Sequence, residues 1–242
     1  VVAWVISVLI TVLQYANFTI TLEGDRYKID RGLLEKKEVR FTTHKIQAIR
    51  FIESPLRQLL GYTSVVVESA GGSDDPSGAI TIIPLIRKKQ LIPFMEQFLP
   101  QYVPPSTYER VPHRALHRYV IQTTWLPLLI TIAGVYFLPS PWSWYLLFLP
   151  VLSILLGWLR WQDTGWNLNE KKLSLKYRLI TCYTVITYKK RIQALQVNQS
   201  PLQRRSQLGT LKIYILSAGA RAYKIIHMKQ SHTVQLQRWY GR

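Results

Sequence analysis

Residues 46–61 read IQAIRFIESPLRQLLG, and residues 192–209 read IQALQVNQSPLQRRSQLG. Both open on Ile-Gln-Ala, reach Ser-Pro-Leu (Ser54-Pro55-Leu56 and Ser200-Pro201-Leu202) and close on Leu-Gly at Gly61 and Gly209. The match extends outward in both directions. Ser69-Ala70-Gly71 returns as Ser217-Ala218-Gly219, and Leu22, Ile29 and Leu33 fall on Leu168, Leu175 and Leu179. The offset is 146 as far as Ser-Pro-Leu and 148 from the glycine onward, so the second copy is expected to carry two extra residues before Gly209. Blocks repeated in one order and near one spacing mark an internal repeat. The chain is therefore read as two copies of one unit.

Each unit reads as short antiparallel strands with one inserted helix. Ser54 and Ser200 suit an N-cap, because the hydroxyl accepts from an unpaired N–H of the first turn. Pro55 and Pro201 follow at the first helical position, where a missing N–H costs nothing. Gly61 and Gly209 suit the left-handed residue beyond the last turn. Leu56, Leu59 and Leu60 give the first helix an apolar stripe, whereas the second carries Arg204 and Arg205. Strands are expected around 39–41, 46–52, 65–67 and 79–83, and again at 172–179, 184–188, 192–197, 212–216 and 223–226. Lys172 to Leu179 alternates polar and apolar residues with the period of a half-buried strand. A closing helix is expected to begin at Pro93, carrying Phe94, Met95, Phe98 and Leu99. A looser one carries Val234, Leu236, Trp239 and Tyr240.

Three stretches lack any charged residue: 1–18, 119–138 and 142–159. Each approaches the ~20 residues, at about 1.5 Å rise, that cross a ~30 Å hydrocarbon core. Only Pro139-Ser140-Pro141 separates the second from the third, which predicts a transmembrane hairpin. Tyr119, Trp125, Trp142, Trp144, Trp158 and Trp161 lie near its ends, as amphipathic rings do at the headgroup level. Arg114 and Arg118 precede the hairpin and Arg160 follows it, while the turn carries no charge. The positive-inside rule then puts both flanks in the cytoplasm. The first stretch runs into Arg26 and Lys28, and Val1 is not Met, so the chain reads as a piece of a longer one.

The expected organisation is thus a transmembrane helix over 1–18, a cytoplasmic unit over 19–112, a hairpin over 113–161 and a second cytoplasmic unit over 162–242. The pattern of strand, Ile-Gln, Ser-Pro-Leu, short helix with a Gly exit, and Ser-Ala-Gly resembles the bacterial pleckstrin-homology-like membrane-flanked domain family. In the first copy the likeness rests on Arg31-Gly32-Leu33, Lys45-Ile46-Gln47, Ser54-Pro55-Leu56 and Leu60-Gly61; in the second, Arg178 stands at the position of that Gly32. The resemblance implies an α+β fold of two strongly bent antiparallel pleckstrin-homology-like (PH-like) units, each with an inserted and a closing helix. It also implies a multi-pass protein of the bacterial plasma membrane, acting as a binding or scaffold protein in envelope stress or antimicrobial resistance. A subunit of an export or transport complex is the alternative. The charge-free stretches hold no Asp, Glu, Lys, Arg or His to couple an ion or proton, which weighs against transport by this chain alone.

Composition narrows the chemistry. Of 242 residues, 48% are hydrophobic, which excludes a disordered polycation. The one cysteine, Cys182, excludes an intrachain disulfide framework. His113 and His117 stand four apart, but Arg114 and Arg118 beside them would repel a metal ion. There is no phosphate-cradling glycine loop and no nucleophile–base arrangement. No enzyme activity, cofactor or metal is expected.

The net charge of +18 is uneven. Residues 17–118 hold 15 Lys and Arg against 11 Asp and Glu, whereas residues 160–242 hold 16 against 2. In the second unit Lys171, Lys172, Lys176 and Arg178 form one basic cluster. Lys189, Lys190 and Arg191 form another, and Arg204 with Arg205 a third. The spacing of Lys172, Lys176 and Arg178 also resembles the headgroup motif of eukaryotic pleckstrin-homology domains. Anionic lipid attracts nearby basic residues by roughly 1 kcal/mol each. The inner leaflet is therefore the expected partner, together with a related membrane protein or a second copy of the chain. With no helix-turn-helix or RNA-binding motif, nucleic acid is not expected.

Overall fold

The computed structural model describes residues 18–24, 26–32, 37–69, 79–137, 142–217 and 220–241. The charge-free stretch before Phe18, the loop at 70–73, the Pro-Ser-Pro turn at 139–141, Leu33 and Ala218-Gly219 lie outside the described residues. The chain groups into two compact units that do not follow the sequence repeat. One holds Val1–Pro104, Val185–Ile192 and Ile215–Arg221; the other holds Pro105–Thr184, Gln193–Tyr214 and Ala222–Arg242.

In the first unit β1 (Thr19–Glu23), β2 (Arg26–Arg31) and β3 (Lys37–Thr42) form an antiparallel meander. Its register sets Tyr27 opposite Phe41, whose rings stack at 5.1 Å. A second antiparallel layer holds β4 (Ile46–Glu53), β5 (Tyr62–Ser69) and β6 (Ala79–Arg87). Pro84 sits in β6 at the sheet edge, where a strand can spare an N–H, and the β5–β6 register shifts beside it. Ile29, Ile49, Val65, Val67 and Ile186 share the buried core with Met95.

Between β4 and β5, α1 (Pro55–Leu59) starts as expected: the Ser54 hydroxyl accepts from the Arg57 N–H. Gly61 then takes φ +72°, and its carbonyl accepts from the Lys88 N–H at 2.9 Å. The closing helix α2 (Lys88–Phe98) does not begin at Pro93 but runs through it. Pro93 removes the bond to the carbonyl of Lys89, and both residues are exposed, so that carbonyl is open to solvent. Leu91 and Met95 line the buried side.

In the second unit β7 (Glu109–Arg110) leads to the long helix α3 (Leu116–Phe137), then α4 (Trp142–Tyr145) and α5 (Phe148–Asp163). With the preceding 3-10 turn, 25 residues from His113 to Phe137 are long and apolar enough to cross a membrane. The expected single helix over 142–159 is instead broken at Leu146-Leu147. Pro150 explains the break, because its ring clashes with the carbonyl four residues back, that of Leu146. The freed Leu146 carbonyl accepts from Thr131 Oγ1 of α3 at 3.0 Å and from the Leu149 N–H at 3.1 Å. The helices pack closely at Gly157, where a Cβ would lie 2.5 Å from Thr123 Oγ1 and 2.7 Å from Val120 Cα. Ser153 adds a 3.2 Å hydrogen bond to Thr124.

Beyond α5, β8 (Gly165–Asn169), β9 (Lys172–Arg178) and β10 (Cys182–Tyr188) form an antiparallel run in the order β10-β9-β8-β7. The second half of β10 counts with the first unit, where Thr187 Oγ1 donates to the Gln47 carbonyl at 2.9 Å. A three-stranded sheet follows from β11 (Ile192–Asn198), β12 (Leu208–Leu216) and β13 (Ala220–Lys229), with α6 (Pro201–Arg205) between the first two. The closing helix α7 (Gln230–Gly241) buries Thr233 and Leu236.

At α6 the Ser200 cap is a full capping box: its hydroxyl accepts from the Gln203 N–H at 3.2 Å, and Gln203 Oε1 accepts from the Ser200 N–H at 3.0 Å. The exit corrects the sequence reading. The left-handed residue is Gln207 (φ +50°), whose carbonyl accepts from the Gln230 N–H at 3.0 Å. Gly209 lies within β12, where a Cβ would stand 3.2 Å from Thr233 Cγ2. Gln207 therefore does what Gly61 does at the unbroken offset of 146, and the two extra residues fall later, before Ser217.

Candidate functional site

The site builds from the short end of α5. Arg160 lies in its last turn, Asp163 ends the helix, and Thr164 Oγ1 donates back to the Arg160 carbonyl at 2.5 Å. One strand away, Arg178 ends β9. Its Nε donates to Asp163 Oδ2 at 2.5 Å and its Nη1 to the Ile180 carbonyl at 3.1 Å. Arg160 Nε donates to the Arg178 carbonyl at 3.2 Å, which ties helix end to strand end.

The β12–β13 hairpin supplies the opposite wall. Along β12 the odd positions Leu211, Ile213 and Ile215 are buried, so Lys212 and Tyr214 share the other face. Along β13 Tyr223 and Ile225 are buried, which leaves Ala222, Lys224 and Ile226 on the other face. The result is a cavity of about 370 Å³ lined by Arg160, Arg178, Lys212 and Lys224, with Tyr177 and Tyr214 among its aromatic walls. Tyr119, from α3, closes its inner end with its hydroxyl donating to the Ile226 carbonyl at 2.7 Å. Among the described residues, no Asp or Glu lines it.

Of the nine basic residues expected from sequence, only Arg178 lines this cavity, and it is buried, not displayed. The alternation expected of β9 holds at Leu173 and Leu175 but fails at Ser174 and Arg178, which are also buried. Lys176 stands 3.6 Å from the other oxygen of Asp163. Lys171 is exposed in the turn before β9, and partial burial lowers the pKa of Lys172. Lys189, Lys190 and Arg191 form a 3-10 turn that counts with the first unit, where Arg191 Nη2 donates to the His44 carbonyl at 2.6 Å. Arg204 and Arg205 are exposed on α6 beside a shallow concavity shared with Gln199 and Pro201. Sequence reading missed Lys212 and Lys224, and took Arg160 for a topology signal. The signals were the period-two patterns of LKIYIL, which sets Lys212 opposite the buried Leu211, Ile213 and Ile215, and of YKI, which sets Lys224 opposite the buried Tyr223 and Ile225.

The arginines before α3 also have local work. Arg118 donates to the Leu202 carbonyl and, at 2.7 Å, to Ser206 Oγ; Arg114 Nη2 donates to the Gln207 carbonyl at 3.3 Å. Cations there satisfy the open carbonyls at the end of α6 and oppose its dipole. Beneath them His227 is buried at φ +58°, with Nδ1 3.0 Å from Gln203 Nε2. Burial first, then the charges of Arg118, His117 and Arg160, push its pKa down to about 4.

The chain is 34% identical over 220 residues to the transmembrane protein YdbT of Bacillus subtilis (strain 168). That match takes in 90% of the chain but 44% of YdbT, so the chain spans less than half the length of this relative. No solved structure matches it. The family model described as the bacterial PH domain matches residues 1–98 and 123–242, and the chain belongs to that family.

Proposed function

We propose that the chain is a membrane-anchored binding protein of the bacterial plasma membrane, with PH-type units on the cytoplasmic side and the second unit held against anionic headgroups of the inner leaflet. α3 pairs with α4 and α5 as a transmembrane hairpin whose Pro139–Pro141 turn faces outward. The observation that carries this reading is the environment of the helices. Trp125, Leu129, Leu152 and Leu155 are each at least half exposed around a pair that has no charged residue between Tyr119 and Leu159. Water would oppose so much open apolar surface, whereas lipid accepts it. Gly157, set against Val120 and Thr123, is the kind of small-residue contact by which helices associate in lipid. The name of the relative, a transmembrane protein, points the same way.

On this reading the protein has no catalytic step. It presents binding surfaces at the membrane to a related membrane protein or a second copy of itself, in the setting of envelope stress or antimicrobial resistance. The test is made on the intact chain in cells. Reporters fused after Gly72 and after Gly219 should both report the cytoplasm, and the protein should resist alkaline extraction from membranes. Reporters on opposite faces, or release by alkali, would overturn the membrane reading.

A further inference from the structure

We infer that the cavity formed by the end of α5, β9 and the β12–β13 hairpin binds one phosphate-bearing group, with Arg160, Lys212 and Lys224 as its cationic ligands. The inference rests on the proposed membrane reading only for the source of the phosphate, not for its chemistry.

The charges in the cavity are unequally satisfied. Arg178 is met by the carboxylate of Asp163. Arg160 donates through Nε alone, and Lys212 and Lys224 make neither an ion pair nor a hydrogen bond among the described residues. Three cations thus converge on one space whose lining contains no carboxylate. Like charges held together oppose folding unless an anion joins them. A phosphate monoester, carrying about −1.5 to −2 with three acceptor oxygens, matches that demand better than a single carboxylate does. A guanidinium with open nitrogens offers the paired donors that phosphate favours. The cavity, at about 370 Å³, lies at the small end of ligand clefts, which suits a headgroup and not a long chain. Tyr177 and Tyr214 add aromatic walls, as small-ligand clefts commonly have. The cavity also includes Tyr119 near the start of α3 and Arg160 near the end of α5, and these are the same ends of the two proposed spans. Phosphates of a lipid surface stand at that depth, so a lipid headgroup is the favoured source over free phosphate.

The experiment uses the full chain purified in detergent and in nanodiscs of phosphatidylcholine containing either phosphatidic acid, a monoester, or phosphatidylglycerol, a diester. Native mass spectrometry counts retained lipids, and titration with inorganic phosphate in detergent reads the soluble arm. The wild-type chain should retain one phosphatidic acid, in preference to phosphatidylglycerol. Lys212→Gln/Lys224→Gln should weaken retention at least tenfold, and the single exposed substitution Lys224→Gln should weaken it in part without lowering the melting temperature. Saturable binding of inorganic phosphate without lipid retention would uphold the site and assign a soluble source, whatever becomes of the membrane reading. No binding of either probe, or equal binding by the wild type and the double variant, would overturn the inference.

Discussion

Glu68 and Arg221 stand 153 positions apart and meet in a 2.6 Å ion pair within the first unit. The Glu68 side chain is fully buried; Arg50 Nε lies 2.6 Å from the same oxygen, and Ser217 Oγ donates to the other at 2.7 Å. One carboxylate therefore holds two guanidinium groups together. Replacing it leaves two neighbouring cations with their shared partner gone, which costs about 3 kcal/mol or more. Glu68→Gln should lower the melting temperature by roughly 6–12 °C. Arg221→Gln should cost less, because that side chain is partly exposed and Arg50 remains. In a double-mutant cycle, the pair should cost less than the sum of the single changes; simple additivity would count against the shared-carboxylate account.

Gln207 and Gly61 hold the same left-handed exit with different side chains. A residue with a Cβ pays about 1 kcal/mol there, and glycine does not. Gln207→Gly should raise stability by up to about 1 kcal/mol, and Gly61→Ala should lower it by about the same amount. Chemical denaturation of the purified chain reads both changes. A destabilised Gln207→Gly variant would mean that the glutamine side chain itself matters.

These two exits show what sequence could and could not reveal. Ser54, Ser200 and the two prolines act within four residues of themselves, so the helix starts were legible. β12 was legible through its period-two burial, and β5 through its β-branched run Val65-Val66-Val67, although it is buried on both faces; β1, β2, β7 and β8 were not foreseen. The second exit was misread because identity drew Gly209 onto Gly61, whereas the offset of 146 leads to Gln207. The burial of Arg178 was not legible for a non-local reason. Arg178 is neutralised by Asp163, 15 residues earlier at a helix end, and such a pairing appears only once β9 lies beside α5. The cavity itself draws on α5, β9, β12 and β13, which no single stretch brings together.

His227 predicts a pH dependence with a definite sign. An unfolded histidine takes up a proton near pH 6.5, whereas the folded one resists until about pH 4. The unfolded state thus binds more protons in that window, and stability falls as pH drops from 6.5 toward 4 while being fully present above it. His227→Asn, which tolerates the left-handed backbone, should show a smaller loss of melting temperature between pH 7.5 and 5. An equal loss in both proteins would assign the effect to other groups.

At Gly157 the two long helices leave no room for a methyl group. Gly157→Ala would force the new Cβ against the backbone of Val120, at 2.7 Å, as well as the Thr123 hydroxyl. A loss of about 1–3 kcal/mol is expected, as for other overpacked contacts. Trimming the hydroxyl with Thr123→Ala should not rescue it, because the backbone clash remains. Thermal melts of the three variants in detergent test this, and full rescue would place the fault with the side chain alone.

The assignment of residues 215–221 to the first unit has a consequence for biosynthesis. A ribosome releases Glu68 long before Ser217 and Arg221 emerge, so the carboxylate at the heart of the earlier fold must wait for partners made some 150 residues later. The first unit cannot be completed from the N-terminal half alone, which lacks residues 185–192 and 215–221, whereas the second unit draws on nothing before Pro105.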